Sequence, residues 1–129
     1  MAVHIKKLDI ESFRGIRGLS LENLNLVNII AGDNNSGKTS VLEALMFLRA
    51  PKDFNNILRI ARMRDMALRF NSTSLYDDFI SLFPRSNTIM EILINGICKG
   101  EETNVCLSGE QKTVLLEPEE LFQNYNAAD

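Results

Sequence analysis

Residues 24–48 read LNLVNIIAGDNNSGKTSVLEALMFL, a stretch that presents a strand, a loop and a helix in immediate succession. From Leu24 to Ala31 the chain is apolar except at Asn25 and Asn28, as expected of a strand covered on both faces. Gly32 stops it. Between Thr39 and Leu48, the residues Val41, Leu42, Ala44, Leu45, Met46, Phe47 and Leu48 fall nearly all round a helical wheel, which predicts a mostly buried helix ended by Pro51. The eight residues between them, GDNNSGKT at 32–39, fit the spacing G-x-x-x-x-G-K-[ST] of a phosphate-binding loop. At average residue frequencies such a match arises by chance in a chain of this length roughly once in two hundred. The strand-to-helix setting is also the one the mechanism needs.

Each loop residue has a physical reason to be there. Gly32 lets the chain leave the strand sharply, and Gly37 lets the backbone pass close to an anion where a Cβ would clash. Asn35 occupies a position suited to positive φ, which Asn tolerates better than most residues. Backbone N–H groups from Asn34 through Ser36 to Thr39, together with the helix amino terminus, are expected to form a nest for a β-phosphate. Lys38 would bridge β- and γ-phosphate oxygens, and the Thr39 hydroxyl would ligate Mg2+. ATP with Mg2+ is therefore the expected ligand.

Outside this stretch the composition sets bounds. The chain has 129 residues, 45% of them hydrophobic and 24% charged, enough for one globular domain with a real core. No apolar run approaches the roughly 18 residues of a membrane span, and MAVHIKKLDIE lacks the apolar region of a secretory signal. A cytoplasmic protein that avoids the membrane is expected. One His and two cysteines, Cys98 and Cys106, make neither a conventional zinc set nor a disulfide framework. The net charge of −3 hides an asymmetry. Arg49, Lys52, Arg59, Arg62, Arg64 and Arg69 face only Asp53 and Asp65 in residues 49–70, whereas residues 101–129 are strongly acidic. The basic run reads either as a solvated face or as a contact for nucleic-acid phosphates.

The flanking segments predict further elements. His4–Phe13 and Leu19–Glu22 read as an antiparallel hairpin turning at Gly15–Gly18. Helices are expected over Phe54–Phe70 and Leu75–Phe83, the latter closed by Pro84. Beyond them Thr88–Ile94, Val105–Leu107 and Thr113–Leu116 read as short strands of an antiparallel meander, with turns at Lys99–Glu102 and Ser108–Glu110 and a competing turn at Asn95-Gly96.

With these residues in view, the segment from His4 to Leu48, which includes IESFRGIRGL, NNSGKTS and LEAL, resembles the amino-terminal part of ABC-class ATPases of the SMC/RecF type, and above all the overcoming-lysogenization-defect (OLD) family. The resemblance implies an α/β fold: a P-loop NTPase amino-terminal lobe with an antiparallel β flank and a helical insertion, divided as 1–50, 51–84 and 85–129. It implies that Arg14, after the first strand, lies near the nucleotide; as a residue, Arg14 equally suits a plain surface position at a strand end. Asn34, Lys38, Thr39 and Ser40 match the family's loop. Glu43, one turn into the helix, reads as structural. Complete relatives act on DNA in repair or phage defence, and two heads sandwich ATP, so the implied partners are the remainder of the head or a second head, and DNA for the complete protein.

The remaining machinery of that family is not matched. LSGEQ at 107–111 and VLLEPEE at 114–120 imitate the signature and the Asp-Glu strand, but only Lys112 and Thr113 separate them where a full helix is required. They read instead as a turn and a strand. His4 precedes the first strand and is out of order for the switch histidine. The chain thus carries the nucleotide-gripping half of an ATPase head without the half that activates water. It reads as an amino-terminal fragment or truncated product that binds ATP without hydrolysing it alone. Two rivals remain open: a non-catalytic module ordered by nucleotide for a partner, and a small P-loop kinase with the Arg59–Arg69 run as its lid.

Overall fold

The computed structural model describes residues 4–63, 74–85, 90–113 and 115. Strand β1 (Ile5–Phe13) turns through Arg14-Gly15 into β2 (Ile16–Leu21). Helices α1 (Lys38–Arg49), α2 (Phe54–Arg62) and α3 (Leu75–Ile80) follow, and β3 (Met90–Cys98) and β4 (Glu101–Gly109) close the order. The four strands form one sheet, β2-β1-β3-β4, in which every neighbouring pair is antiparallel. This is a mixed α/β domain whose helices cover one face of an antiparallel sheet.

Alternation along the strands explains which face is covered. Leu8 and Ile10 on β1 and Ile92 and Ile94 on β3 point the same way and are fully buried. The β1–β3 register shifts between Ile10 and Ser12. That irregularity breaks the alternation, so Phe13 rather than Ser12 enters the core. There its ring meets Phe47 of α1 edge-on at 5.5 Å. Val41, Ala44 and Leu48 of α1, Ile57, Ile60 and Ala61 of α2, and Leu82 and Phe83 after α3 complete the cluster. Helix α2 is capped by Asp53, which accepts from Asn55 N–H, and α3 by Ser74, which accepts from Asp77 N–H.

Five sequence expectations change. The first hairpin turns earlier, at Arg14-Gly15, and Gly18 lies within β2. Asn95-Gly96 is not a turn. Both residues pair inside β3, and the turn is Lys99-Gly100, whose φ values of 54° and 81° are the two positive angles a tight hairpin of this kind needs. Ser108 and Gly109 are likewise paired, with Glu91 and Met90, rather than turning. Helix α1 buries one face and leaves Leu42 exposed.

The fifth change is the largest. Residues 24–31, read as a doubly covered strand, join no strand pair among the described residues, where Leu26, Val27 and Ile29 are 78%, 82% and 92% exposed. The two asparagines explain the local shape. Asn25 N–H donates to Asn28 Oδ1 at 2.9 Å, and Asn28 Nδ2 donates back to Asn25 O at 2.7 Å. Such side-chain bonds to backbone compete with a ladder and fold the segment on itself. Leu24 is tied to the first strand and the residue before it, through its N–H to Lys6 O and through its carbonyl to His4 Nε2 at 3.1 Å. The late strand expected at 113–116 and the end of the predicted helix 54–70 fall largely outside the described residues; Thr113 and Leu115 are not in a strand.

Candidate functional site: the 32–39 loop

The loop runs from the exposed 24–31 segment into α1. Ser36 N–H donates to Asp33 O at 3.2 Å, closing a turn, and Asn35 sits at φ 64°, the positive value expected of it. Gly37 precedes α1 at φ 90°, in the left-handed region open to glycine. A Cβ on Gly32 would stand 2.8 Å from Ser36 Oγ, so a side chain there would require the Ser36 hydroxyl to turn away.

Helix α1 starts with no side-chain cap and no acidic residue in its first turn. Its leading N–H groups and the positive end of its dipole are thus not compensated by a carboxylate of that turn, which leaves them suited to an anion. Lys38 is folded back on the loop: its Nζ donates to Gly32 O at 2.5 Å, to Asp33 O, and to Ser36 Oγ at 3.3 Å. Thr39 is exposed and Ser40 buried. A cavity of about 980 Å³ opens over these residues, and Asn34, Asn35, Ser36, Gly37, Lys38, Thr39 and Ser40 all line it, with Gly15, Ile16, Glu43 and Met63 as its other walls. The hairpin turn is a wall the sequence reading missed; the early Arg14-Gly15 turn is what places Gly15 and Ile16 there.

These features fit phosphates and magnesium. Among the described residues no group of three or more His, Cys, Asp or Glu side chains is placed to hold a metal. Mg2+ in nucleotide sites takes one or two protein oxygens and completes its shell with phosphates and water, and the exposed Thr39 hydroxyl is suited to such a role.

Arg14 is not the surface arginine that one reading allowed: only 7% of it is exposed. It turns the hairpin at φ 51°, and its N–H donates to Leu82 O at 2.9 Å. Its Nε lies 2.7 Å from Glu43 Oε2, an ionic approach rather than an aligned hydrogen bond. Its Nη2 donates to Glu43 Oε1 and to Ile60 O, both at 3.3 Å, and its Nη1 to Ser81 Oγ at 3.0 Å and Ser81 O at 3.3 Å. Gly15 and Ile16, not Arg14, line the loop cavity. Glu43, 1% exposed, is held by this arginine.

The basic run is partly answered within the fold. Arg59 donates to Asn56 Oδ1 at 3.0 Å, and Arg62 lies 3.8 Å from the buried Asp78 of α3. Arg64 and Arg69 lie outside the described residues. Leu107–Gly109 of LSGEQ are the last residues of β4, and most of VLLEPEE lies outside the described residues. Among the described residues no helix is long and apolar enough to cross a membrane.

Comparison with known proteins agrees with the resemblance read from the loop. The chain is 40% identical over 94 residues to the uncharacterized protein MJECL10 of Methanocaldococcus jannaschii, covering 70% of this chain and 40% of the relative. It is 31% identical over 126 residues to the DNA replication and repair protein RecF of Clostridioides difficile, covering 91% of this chain and 32% of RecF. A RecF of Pseudoalteromonas translucida is 50% identical over 50 residues, 39% of this chain and 14% of that protein. The chain therefore spans 40% or less of the length of these relatives. No solved structure matches it. A family model described as AAA ATPase domain matches residues 4–125, nearly the whole chain, and the protein belongs to that family, with its amino-terminal part similar to RecF.

Proposed function

We propose that this chain binds Mg-ATP through residues 32–39 and serves as the nucleotide-gripping lobe of a DNA-associated ATPase head. The observation that carries the reading is the loop itself: positive φ at Asn35 and Gly37 running into an uncapped, acid-free start of α1, with Lys38 alongside. Backbone N–H groups of Asn34 to Ser40 would hold the β-phosphate. Lys38 would exchange the carbonyls of Gly32 and Asp33 for β- and γ-oxygens, and Thr39 would hold Mg2+, which supplies charge neutralisation between the phosphates. Similarity to RecF, a DNA replication and repair protein by its description, supports the DNA setting.

Completion by another part of an ATPase head, or by a second head, is supported by the 24–31 segment, whose apolar side chains are exposed in front of the loop. Groups that would align water at the γ-phosphate are assigned to that completing part, so this chain alone is expected to bind without turnover. Isothermal titration of Mg-ATP against the chain and its Lys38→Ala variant tests the binding. Equal affinity in the two would remove the loop from the explanation. Phosphate release that vanishes in Lys38→Ala would instead make the chain a self-contained enzyme.

A further inference from the structure

We propose that the buried Arg14–Glu43 pair couples the phosphate-binding loop to the end of helix α3, so that occupancy of the loop is registered at residues 81–83. The inference rests on the nucleotide reading and adds to it a positioning residue that acts through Glu43. Three elements meet on one side chain. Glu43 belongs to α1, four residues after Thr39, and its residue forms part of the wall of the loop cavity. Ile60 O belongs to α2, and Ser81 caps α3. The Arg14 guanidinium touches all three, while its backbone N–H holds Leu82 O. A forked guanidinium on a carboxylate has a defined geometry, and a buried pair of this kind moves together because separating it strands a charge.

The loop holds bonds that a bound phosphate would exchange. Lys38 is bonded to the carbonyls of Gly32 and Asp33; a phosphate that takes Lys38 would exchange those bonds at the first residue of α1. Glu43 lies one turn further along the same rigid helix. A shift of that helix changes the pull on Arg14, and through it on Ser81 and Leu82. A second cavity of about 830 Å³ is lined by Arg14, Ser81 and Phe83 among others, whereas Glu43 lines the loop cavity. Each partner of the pair thus borders a different cavity.

Residue-resolved amide hydrogen exchange on the full chain, with and without Mg-ATP, tests the coupling. The readout is the Ser81, Leu82 and Phe83 amides, which donate to Asp77, Phe79 and Ile80 carbonyls. Nucleotide is expected to slow exchange at 34–40, and also at 81–83 by about fivefold or more, the lower end of ordinary site-to-site couplings. In Arg14→Lys, which keeps the charge but loses the fork, protection at 34–40 should persist while that at 81–83 disappears. Should that variant not fold, Ser81→Ala, which removes one acceptor, should reduce the response at 82–83. Protection at 34–40 with none at 81–83 in the unmodified chain would overturn the coupling and leave nucleotide binding standing. Undiminished protection at 81–83 in the variants would also overturn it. No protection at 34–40 would bring down the nucleotide reading itself.

Discussion

Nε of Arg14 and Oε2 of Glu43 lie 2.7 Å apart between the first hairpin and the loop helix, both side chains almost fully withdrawn from water. Removing one partner takes from the other, still buried, the opposite charge 2.7 Å away. Arg14→Met is therefore expected to destabilise the fold by about 3–5 kcal/mol, as measured for broken buried pairs, a large share of the total stability of a domain this size. Arg14→Met combined with Glu43→Leu should recover much of the loss. Urea denaturation of the singles and the double gives the coupling directly; equal loss in single and double would deny that charge stranding is the cause.

Lys38→Ala should weaken Mg-ATP by about 1.5–3 kcal/mol, the range for hydrogen bonds to charged groups, and Thr39→Ala by less. The unmodified chain should also melt later with nucleotide, by about 2.7 kcal/mol of stability at a hundred times the dissociation constant. Loss of that shift in Lys38→Ala is the expected thermal signature.

Gly96 lies where β3 passes under α1. A Cβ there would sit 2.5 Å from Leu48 Cδ1 and 3.3 Å from Lys7 O. Gly96→Ala is expected to cost about 1–3 kcal/mol through overpacking. Adding Leu48→Ala should relieve the side-chain part of the clash but not the backbone contact. A thermal melt in which Gly96→Ala is neutral would show that the Leu48 side chain and the Lys7 carbonyl give way without cost.

Ile29 and Ile10 look alike in sequence and differ completely in setting, one 92% exposed and the other fully buried. Ile29→Ala should change the stability of this chain by no more than about 0.5 kcal/mol, whereas Ile10→Ala should cost about 2–5 kcal/mol. A large loss in Ile29→Ala would restore the buried strand that the apolar run suggested.

On the outer side of the hairpin, the Ser20 hydroxyl and then Lys7 hold the Asp9 carboxyl below its ordinary value of 3.8, and Asp9 and Glu22 raise Lys7 above 10.5. Asp9 thus adds stability above its ordinary pKa that disappears as pH falls through its lowered folded value. Lys7 adds stability below 10.5 that disappears as pH rises through its raised one. Both effects are small and weakened by salt, because the pairs face solvent. Denaturation of Asp9→Asn across pH 2–7 should show its difference from the parent shrinking on the acid side.

The loop was legible from residues 32–39 because its chemistry is local: glycine and asparagine at the positions of positive φ, a helix start without acid, and a lysine beside it. The helix after it and the antiparallel character of the flanking strands were legible for the same reason, since period and turn residues act over a few positions. What only the tertiary structure decided depends on partners distant in sequence. Apolar composition made 24–31 look like a covered strand, but covering requires neighbours, and among the described residues no strand pairs with it while Asn25 and Asn28 bond to each other. Arg14 read equally well as a surface residue or a nucleotide contact. Its burial follows from the hairpin turning one residue after Phe13, which brings Glu43, Ile60 and Ser81, 29 to 67 positions away, onto one guanidinium.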